Sequence, residues 1–174
     1  VTQGCEYMLL GEEQLKVLRN DVANDLAILK SQNKPSNYLR ISSNITPLKG
    51  EDVLVLGYPY GKLTSSESKV TKGIVSALQG LGNNFTQFQI DAAIQPGNSG
   101  GPVFNSKGAL VGVTVATADY KFYEENFKSL PQNVNFAIKS IMLENFLAST
   151  GISYDKENVL AGKYQPEIVQ AIDN

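Results

Sequence analysis

The sequence predicts an all-β fold, a barrel or sandwich of short strands followed by one late helix. Short runs of apolar or alternating residues recur along the chain, and turn residues such as Gly, Pro and Asn separate them. The apolar residues change to helical spacing only at 140–150, near the end of the chain. Many short strands with turn signals between them are typical of all-β barrels and sandwiches.

The first strands are expected at 6–10 and 14–20, with residues 11–13 as a hairpin loop. The run at 25–30 carries apolar residues at both alternating sets of positions, which predicts a strand that is buried on both faces for most of its length. Further strands are expected at 51–59, 69–79, 86–94, 108–118 and 133–139.

Two apolar faces mark the expected core. In the run 86–94 the alternation predicts an inward face made of Phe88, Ile90, Ala92 and Ile94. The helix 140–150 would bury Ile141, Phe146 and Leu147 and end at Gly151. The aromatic and charged segment at 119–129 is expected to be a surface insertion, and 151–174 a tail or linker.

Composition and charge indicate an ordinary globular domain and exclude several classes of function. The 174 residues are 42% hydrophobic and 18% charged, with a net charge of −2 and no cluster of basic residues. This balance favours no nucleic-acid partner, and no apolar run is long enough for a membrane span. With a single cysteine, Cys5, and no histidine, we expect no internal disulfide, no metal site and no cofactor.

The segment at 96–102, Pro-Gly-Asn-Ser-Gly-Gly-Pro, is the strongest candidate for a chemical site. Acyl transfer needs backbone N–H groups that converge where a carbonyl oxygen becomes negative, and a sharply turned loop can provide them. Glycine allows the unusual φ angles of such a loop and leaves room for a substrate. In such a loop the N–H groups of Gly97 and Ser99 would point into one small nest, with the Ser99 hydroxyl beside it.

Two other interpretations of the same segment stay open on composition alone. Every residue in it is a turn former, so it could be only a tight turn. It could also be an anion-binding nest of backbone N–H groups in a protein of unrelated function. In addition, a serine hydroxyl needs a neighbouring base, usually histidine, before it can attack, and this chain has none.

Several blocks in a fixed order resemble the trypsin-like serine peptidases of the HtrA (Deg) type. These blocks are NDLAILK, VLVLGYPYG, KVTKGIVS, QIDAAIQPGNSGGPVFNSKGALVGV and NVNFAI. The resemblance covers about residues 1–148, and the block around Ser99 is its most specific part. It implies a double β-barrel of the chymotrypsin kind, in which 1–50 is the remainder of the first barrel and 51–150 is the second barrel plus the helix.

The resemblance also implies that Ser99 is the nucleophile and that the N–H groups of Gly97 and Ser99 form an oxyanion hole. It implies a role for Asp25 as the carboxylate that orients a catalytic histidine. By itself, an Asp before an apolar strand is usually a turn or cap residue, and Asp21 lies only four positions away. With Ser99 as nucleophile, Asp25 is the better candidate because it directly precedes the strand expected at 26–30. A carboxylate held out of water there could stabilise an imidazolium.

The histidine of this family lies upstream of the Asp, and the opening VTQGC resembles the segment just past it. We expect the first strands and the histidine to belong to a longer natural protein, so that the missing N-terminal segment is a partner of this chain. The other interpretation is a peptidase-like protein that never had the base and only binds peptides. In either case these 174 residues alone would be nearly inert as a hydrolase.

The resemblance further implies which residues bind a polypeptide substrate. Ala93 and Ile94 would form the floor of the primary specificity pocket, although both could equally be core residues of their strand. Ala93 carries no charge, so a small-to-medium apolar residue is expected before the cleaved bond. The strand 113–118, with Val115 and Ala116, would pair with the substrate backbone. Relatives of this type favour a periplasmic or secreted location.

Overall fold

The computed structural model describes residues 4–33, 38–39, 41, 45–60, 67–117, 124–125, 128 and 133–154. Most of the predicted segment 119–129 and the tail after residue 154 lie outside these residues. Within them the chain forms nine strands, a 3-10 helix at Leu81–Asn83 and an α-helix: β1 (Tyr7–Leu10), β2 (Glu13–Asp21), β3 (Leu26–Lys30), β4 (Asp52–Gly57), β5 (Lys69–Ala77), β6 (Gln87–Ile90), β7 (Pro102–Asn105), β8 (Leu110–Thr117), β9 (Asn135–Lys139) and α1 (Ser140–Thr150).

Strands β4 to β9 close into a six-stranded antiparallel barrel in the order β4-β5-β6-β9-β8-β7. Strand β4 closes it by pairing with β5 on one edge and with β7 on the other. The predicted inward face is confirmed, because all four of its side chains lie in the main core cluster. They are Phe88, Ile90, Ala92 and Ile94. The predicted strand at 86–94 ends earlier, at Ile90.

The helix α1 covers the outer face of part of the barrel. Leu143 and Leu147 pack against a second core cluster that includes Leu54, Leu56 and Phe104. This packing explains why β4 is buried on both faces, with alternate residues directed to the barrel core and to the helix side.

The helix ends as the sequence predicts. Gly151 adopts a left-handed φ of 69° and its N–H donates to the carbonyl of Ala148 at 3.3 Å. The prediction that the helix buries Ile141, Phe146 and Leu147 is wrong, because all three are only half-buried. Of the three, Leu147 packs against the second core cluster. No helix within the described residues has the length and hydropathy needed to cross a membrane.

Strands β1, β2 and β3 form a separate antiparallel sheet in that order. The prediction that the run 25–30 is buried on both faces is wrong, because in β3 Leu26 is buried but Leu29 and Lys30 are exposed. The physical reason is that burial of a strand's faces needs another layer packed on them, and among the described elements β3 makes extensive contact only with β2, its neighbour in the same sheet. Leu9 and Leu10 of β1 are exposed as well.

The fold is therefore mostly β, with a closed barrel, a second sheet and a C-terminal helix, as predicted. The sequence did not indicate β7, because Pro102–Asn105 directly follows the glycine-rich segment and has only four residues. The assignment of 1–50, 51–150 and 151–174 to separate units stays a prediction.

Candidate active site

The segment that carries Ser99 is a loop made of two overlapping turns. The N–H of Asn98 donates to the carbonyl of Gln95 at 3.0 Å, and the N–H of Gly101 donates to the carbonyl of Asn98 at 2.9 Å. Gly97 and Gly100 adopt positive φ angles of 105° and 86°, which L side chains rarely allow. The glycines are thus needed for the sharp path of the chain around Ser99.

Strand β8 holds the C-terminal half of this loop. The N–H of Gly100 donates to the carbonyl of Thr114 at 2.8 Å, and the N–H of Thr114 donates to the carbonyl of Gly101 at 2.9 Å. The buried hydroxyl of Thr114 donates to the carbonyl of Asn98. Because these bonds use both backbone and side chain of one core residue, the barrel fixes the position of Ser99.

The segment after β4 holds the N-terminal half of the loop. The N–H of Tyr60 donates to the carbonyl of Pro96 at 2.7 Å, and its hydroxyl donates to Oε1 of Gln95 at 2.8 Å. Gly97 lies so close to this segment that an added Cβ would come within 2.4 Å of the carbonyl oxygen of Tyr58. Tyr60 itself has a φ of 58°, a costly angle for a bulky residue.

Ser99 lies exposed at the tip of the loop. Its hydroxyl donates to the carbonyl oxygen of Val115 in β8 at 2.8 Å. A backbone carbonyl can accept this hydrogen bond but cannot take up the proton, so the bond orients the hydroxyl without activating it.

The N–H groups expected to form an oxyanion hole are available. Gly97 and Ser99 donate no backbone hydrogen bond to any described residue. Both line a cleft of about 280 Å³, together with Tyr58, Ser68 and Pro102 among others. A carbonyl oxygen in this cleft could therefore accept from two unpaired donors beside the serine hydroxyl.

Asn98 is a buried polar residue of the loop that the sequence did not single out as structurally unusual. The residue is 3% exposed, and its Oδ1 has no hydrogen-bond partner in the part of the chain that the structure describes. The amide lies against Gly57 at the end of β4, where an added Cβ would come within 2.7 Å of Oδ1. An unsatisfied buried acceptor is costly and often marks a functional site.

Asp25 is exposed in the turn before β3, with a φ of 52°. The expectation that this carboxylate is held out of water is therefore not met within the described residues. The turn is stabilised instead by Asp21, which accepts from the N–H of Asn24 at 3.1 Å and from its Nδ2 at 2.7 Å. No hydrogen bond joins Asp25 to Ser99 in the described part of the chain.

The predicted substrate-binding residues fall in different environments. Ile94 is 4% exposed and belongs to the barrel core, and its role at the floor of a specificity pocket stays a prediction. Ala93 is exposed next to it. Val115 is half-buried in β8, and Ala116 pairs with Phe136 in the register between β8 and β9.

Comparisons with known proteins agree with this site. A family profile described as "Trypsin-like peptidase domain" matches residues 11–113, which include Asp25 and Ser99. The chain is 41% identical over 105 residues to a "Probable periplasmic serine endoprotease DegP-like" of Pseudomonas putida, covering 59% of this chain and 21% of that protein. It is 31% identical over 162 residues to a "Serine protease HtrA-like" of Staphylococcus aureus, covering 84% and 20%.

A solved structure shows the same likeness. The crystal structure of the serine endoprotease from Yersinia pestis aligns with a TM-score of 0.60 and 32% identity, covering 79% of this chain and 44% of that one. The chain spans about a fifth to a quarter of the length of the curated relatives it matches. With the barrel, the Ser99 loop and these matches together, the chain belongs to the trypsin-like peptidase family, and it resembles the HtrA (Deg) serine proteases within it.

Proposed function

We propose that these residues carry the nucleophile of a serine endopeptidase that cleaves extended or unfolded polypeptide. Ser99 would attack the carbonyl carbon of a peptide bond, and water would then hydrolyse the acyl-enzyme. The observation that carries the proposal is the Ser99 loop. Its hydroxyl lies beside two N–H groups that have no acceptor among the described residues, and both β8 and the segment after β4 hold the loop in place.

In this mechanism the N–H groups of Gly97 and Ser99 stabilise the negative oxygen of the tetrahedral intermediate. Removing one such donor from a serine peptidase typically lowers turnover by about 10²–10³. The sharp loop and the positive φ of Gly97 support this role, because they keep the two N–H groups free of other acceptors among the described residues.

The reaction also needs a general base, and the 174 residues contain no histidine. Loss of the histidine lowers turnover of a serine peptidase by about 10⁶, or about 8 kcal/mol. We therefore infer that hydrolysis requires a histidine from outside these residues, with Asp25 as the carboxylate that orients it. If the segment that carries this histidine packed over Asp25, it would also shield the carboxylate from water.

The proposed substrate lies along β8 as an added strand. Backbone pairing of this kind favours extended or unfolded segments and depends only weakly on the identity of their side chains. Ala93, exposed beside the Ser99 loop, offers no charge to attract Lys or Arg. We propose a small-to-medium apolar residue before the cleaved bond.

A peptide-binding protein without catalytic activity is the second candidate. It is favoured by the hydrogen bond from the Ser99 hydroxyl to Val115, a carbonyl that cannot act as a base, and by the absence of histidine. In this case the same cleft would hold peptides without cleaving them.

Hydrolysis by the natural polypeptide that contains these residues separates the two candidates. A fluorescein-labelled, reduced and alkylated protein would serve as the unfolded substrate. The peptidase proposal predicts cleavage that Ser99→Ala abolishes and that Ser106→Ala, at an exposed serine of the β7–β8 turn, leaves unchanged. Binding of the substrate without cleavage by the unsubstituted protein would favour the second candidate.

A further inference from the structure

Val115 lies at an irregularity of the barrel, at the point where its carbonyl oxygen meets the nucleophile. The register between β8 and β9 shifts there, since Thr114 pairs with Ala137 and Ala116 with the adjacent Phe136. Val115 is the residue of β8 between these two pairs. Its carbonyl oxygen accepts the hydroxyl of Ser99 at 2.8 Å.

The same carbonyl is an acceptor on the edge of β8 that a peptide would use. The pairing of β8 with β7 ends at Val113, and Thr114 is already bonded by both its N–H and its carbonyl to the Ser99 loop. Val115 follows next along β8, and its carbonyl accepts the Ser99 hydroxyl, so it is the next carbonyl beside the Ser99 loop that an added strand would meet.

An added peptide strand would bring a donor to this atom. In an extended residue the N–H and the carbonyl point toward the same neighbouring strand. A residue whose carbonyl carbon lies at Oγ of Ser99 would therefore direct its own N–H toward the edge where Val115 lies. The peptide N–H and the serine hydroxyl would then share one carbonyl oxygen, and each bond would weaken the other.

We propose that an extended peptide and the Ser99 hydroxyl compete for the carbonyl oxygen of Val115. Docking of the peptide forms an N–H to carbonyl bond and releases the hydroxyl, which is then free to turn toward a base. Without peptide, the hydrogen bond to this carbonyl keeps the Ser99 hydroxyl turned away from a base. The inference rests on the proposed binding of peptide along β8, and it involves only the exchange of hydrogen bonds.

Peptide affinity measured with and without the hydroxyl tests this competition. The probe is a fluorescein-labelled peptide, Lys-Ala-Ala-Val-Ala-Ala-Lys, titrated with the 174-residue chain and followed by fluorescence anisotropy. Because a neutral hydrogen bond contributes modestly to binding, Ser99→Ala should tighten the dissociation constant by about two- to tenfold. Ser99→Cys, whose thiol is a weak donor, should give a smaller gain, and Ser106→Ala none.

A second peptide probe distinguishes competition for the carbonyl of Val115 from a gain in affinity that comes only from the smaller side chain of Ser99→Ala. In it the backbone nitrogen of the valine is methylated, so that this residue has no N–H to donate. If the two donors compete, the methylated probe binds the unsubstituted chain more weakly than the first probe does. Its affinity should be the same for the unsubstituted chain and for Ser99→Ala.

The outcomes distinguish this inference from the proposed function. Equal or weaker binding of the first probe by Ser99→Ala would overturn the competition while leaving the peptide cleft in place. Tighter binding of both probes would overturn it too, because loss of bulk would then be the cause. If neither probe binds saturably to either protein, the proposed peptide cleft is wrong and the competition falls with it.

Discussion

The Ser99 loop needs Gly97 for two separate reasons, its backbone angle and its lack of a side chain. The φ of 105° disfavours any L side chain, and a Cβ would also come within 2.4 Å of the carbonyl oxygen of Tyr58. Gly100, in the same loop, has a φ of 86° but nothing within 4 Å of an added Cβ. A substitution at Gly100 therefore introduces backbone strain alone, whereas one at Gly97 introduces both strain and a steric clash.

Alanine at these two positions should destabilise the protein to different degrees. We expect Gly100→Ala to lower the free energy of unfolding by about 1–2 kcal/mol through backbone strain alone. Gly97→Ala adds the collision with Tyr58, for a total loss of about 2–5 kcal/mol. Urea unfolding followed by circular dichroism measures both. Equal losses would mean that the contact between Gly97 and Tyr58 relaxes at no cost.

The burial of Asn98 is a feature that a local sequence pattern cannot predict. The sequence identified Ser99, Gly97 and the turn around them, because turn-forming residues at fixed spacing are a local signal. The burial of Asn98 against Gly57 depends on the end of β4, about forty residues earlier in the chain, so no local pattern indicates it. Neither does any local pattern indicate the bond from Ser99 to Val115.

Replacement of Asn98 by Asp should make stability depend on pH. Burial without donors raises the pKa of a carboxyl group above its unfolded value of about 3.9. The unfolded state then loses its proton first, so Asn98→Asp becomes less stable relative to the unsubstituted protein as the pH rises above about 4. Urea unfolding at pH 4 and pH 7 tests this. The same difference at both pH values would mean that a donor reaches the carboxylate.

At the scale of elements, hydrophobic periodicity predicted the strands that bury a regular face. The alternation from Phe88 to Ile94 is such a case. The helix Ser140–Thr150 lies where helical spacing predicted it, but its buried residues are Ser140 and Glu144. Periodicity was misleading for β3, where an apolar run lies in an edge strand, because burial of a strand depends on neighbours far away in sequence. It also missed β7, whose four residues are too few to show a pattern.

The end of β3 is tied to the start of β2 by one carboxylate. Oε1 of Glu13 accepts from the hydroxyl of Ser31 at 2.5 Å and from the N–H groups of Gln32 and Asn33 at 2.9 and 3.2 Å. The hydrogen bond from Ser31, followed by those from the backbone, lowers the pKa of Glu13 below 4.5.

These bonds should weaken in acid. Because the folded pKa is lowered, their stabilising effect is present above a pH of about 4.5 and is lost as the pH falls through the folded pKa. We expect the hydrogen-exchange protection of the Gln32 and Asn33 amides to fall in this window. NMR at a series of pH values measures it, and Glu13→Gln should abolish the dependence. Constant protection down to pH 2 would contradict the assignment.

At the scale of the whole molecule, the structure consists of a closed barrel and a smaller open sheet. The barrel holds Ser99 through β8 and the exit of β4, and the order of sequence blocks was sufficient to predict it. The open sheet carries Asp25, exposed and without a hydrogen bond to Ser99 in the described residues. How far apart Asp25 and Ser99 lie depends on packing between distant parts of the chain, and the resemblance alone could not predict that distance.

The central claim is that Ser99 is the nucleophile of a serine peptidase. The most direct test is to label the natural polypeptide that contains these residues with a fluorophosphonate probe and to locate the label by mass spectrometry. The account predicts one labelled residue, Ser99, and no labelling of Ser99→Ala, whereas Ser106→Ala is labelled as before. Label on another residue, or labelling that survives in Ser99→Ala, would contradict it.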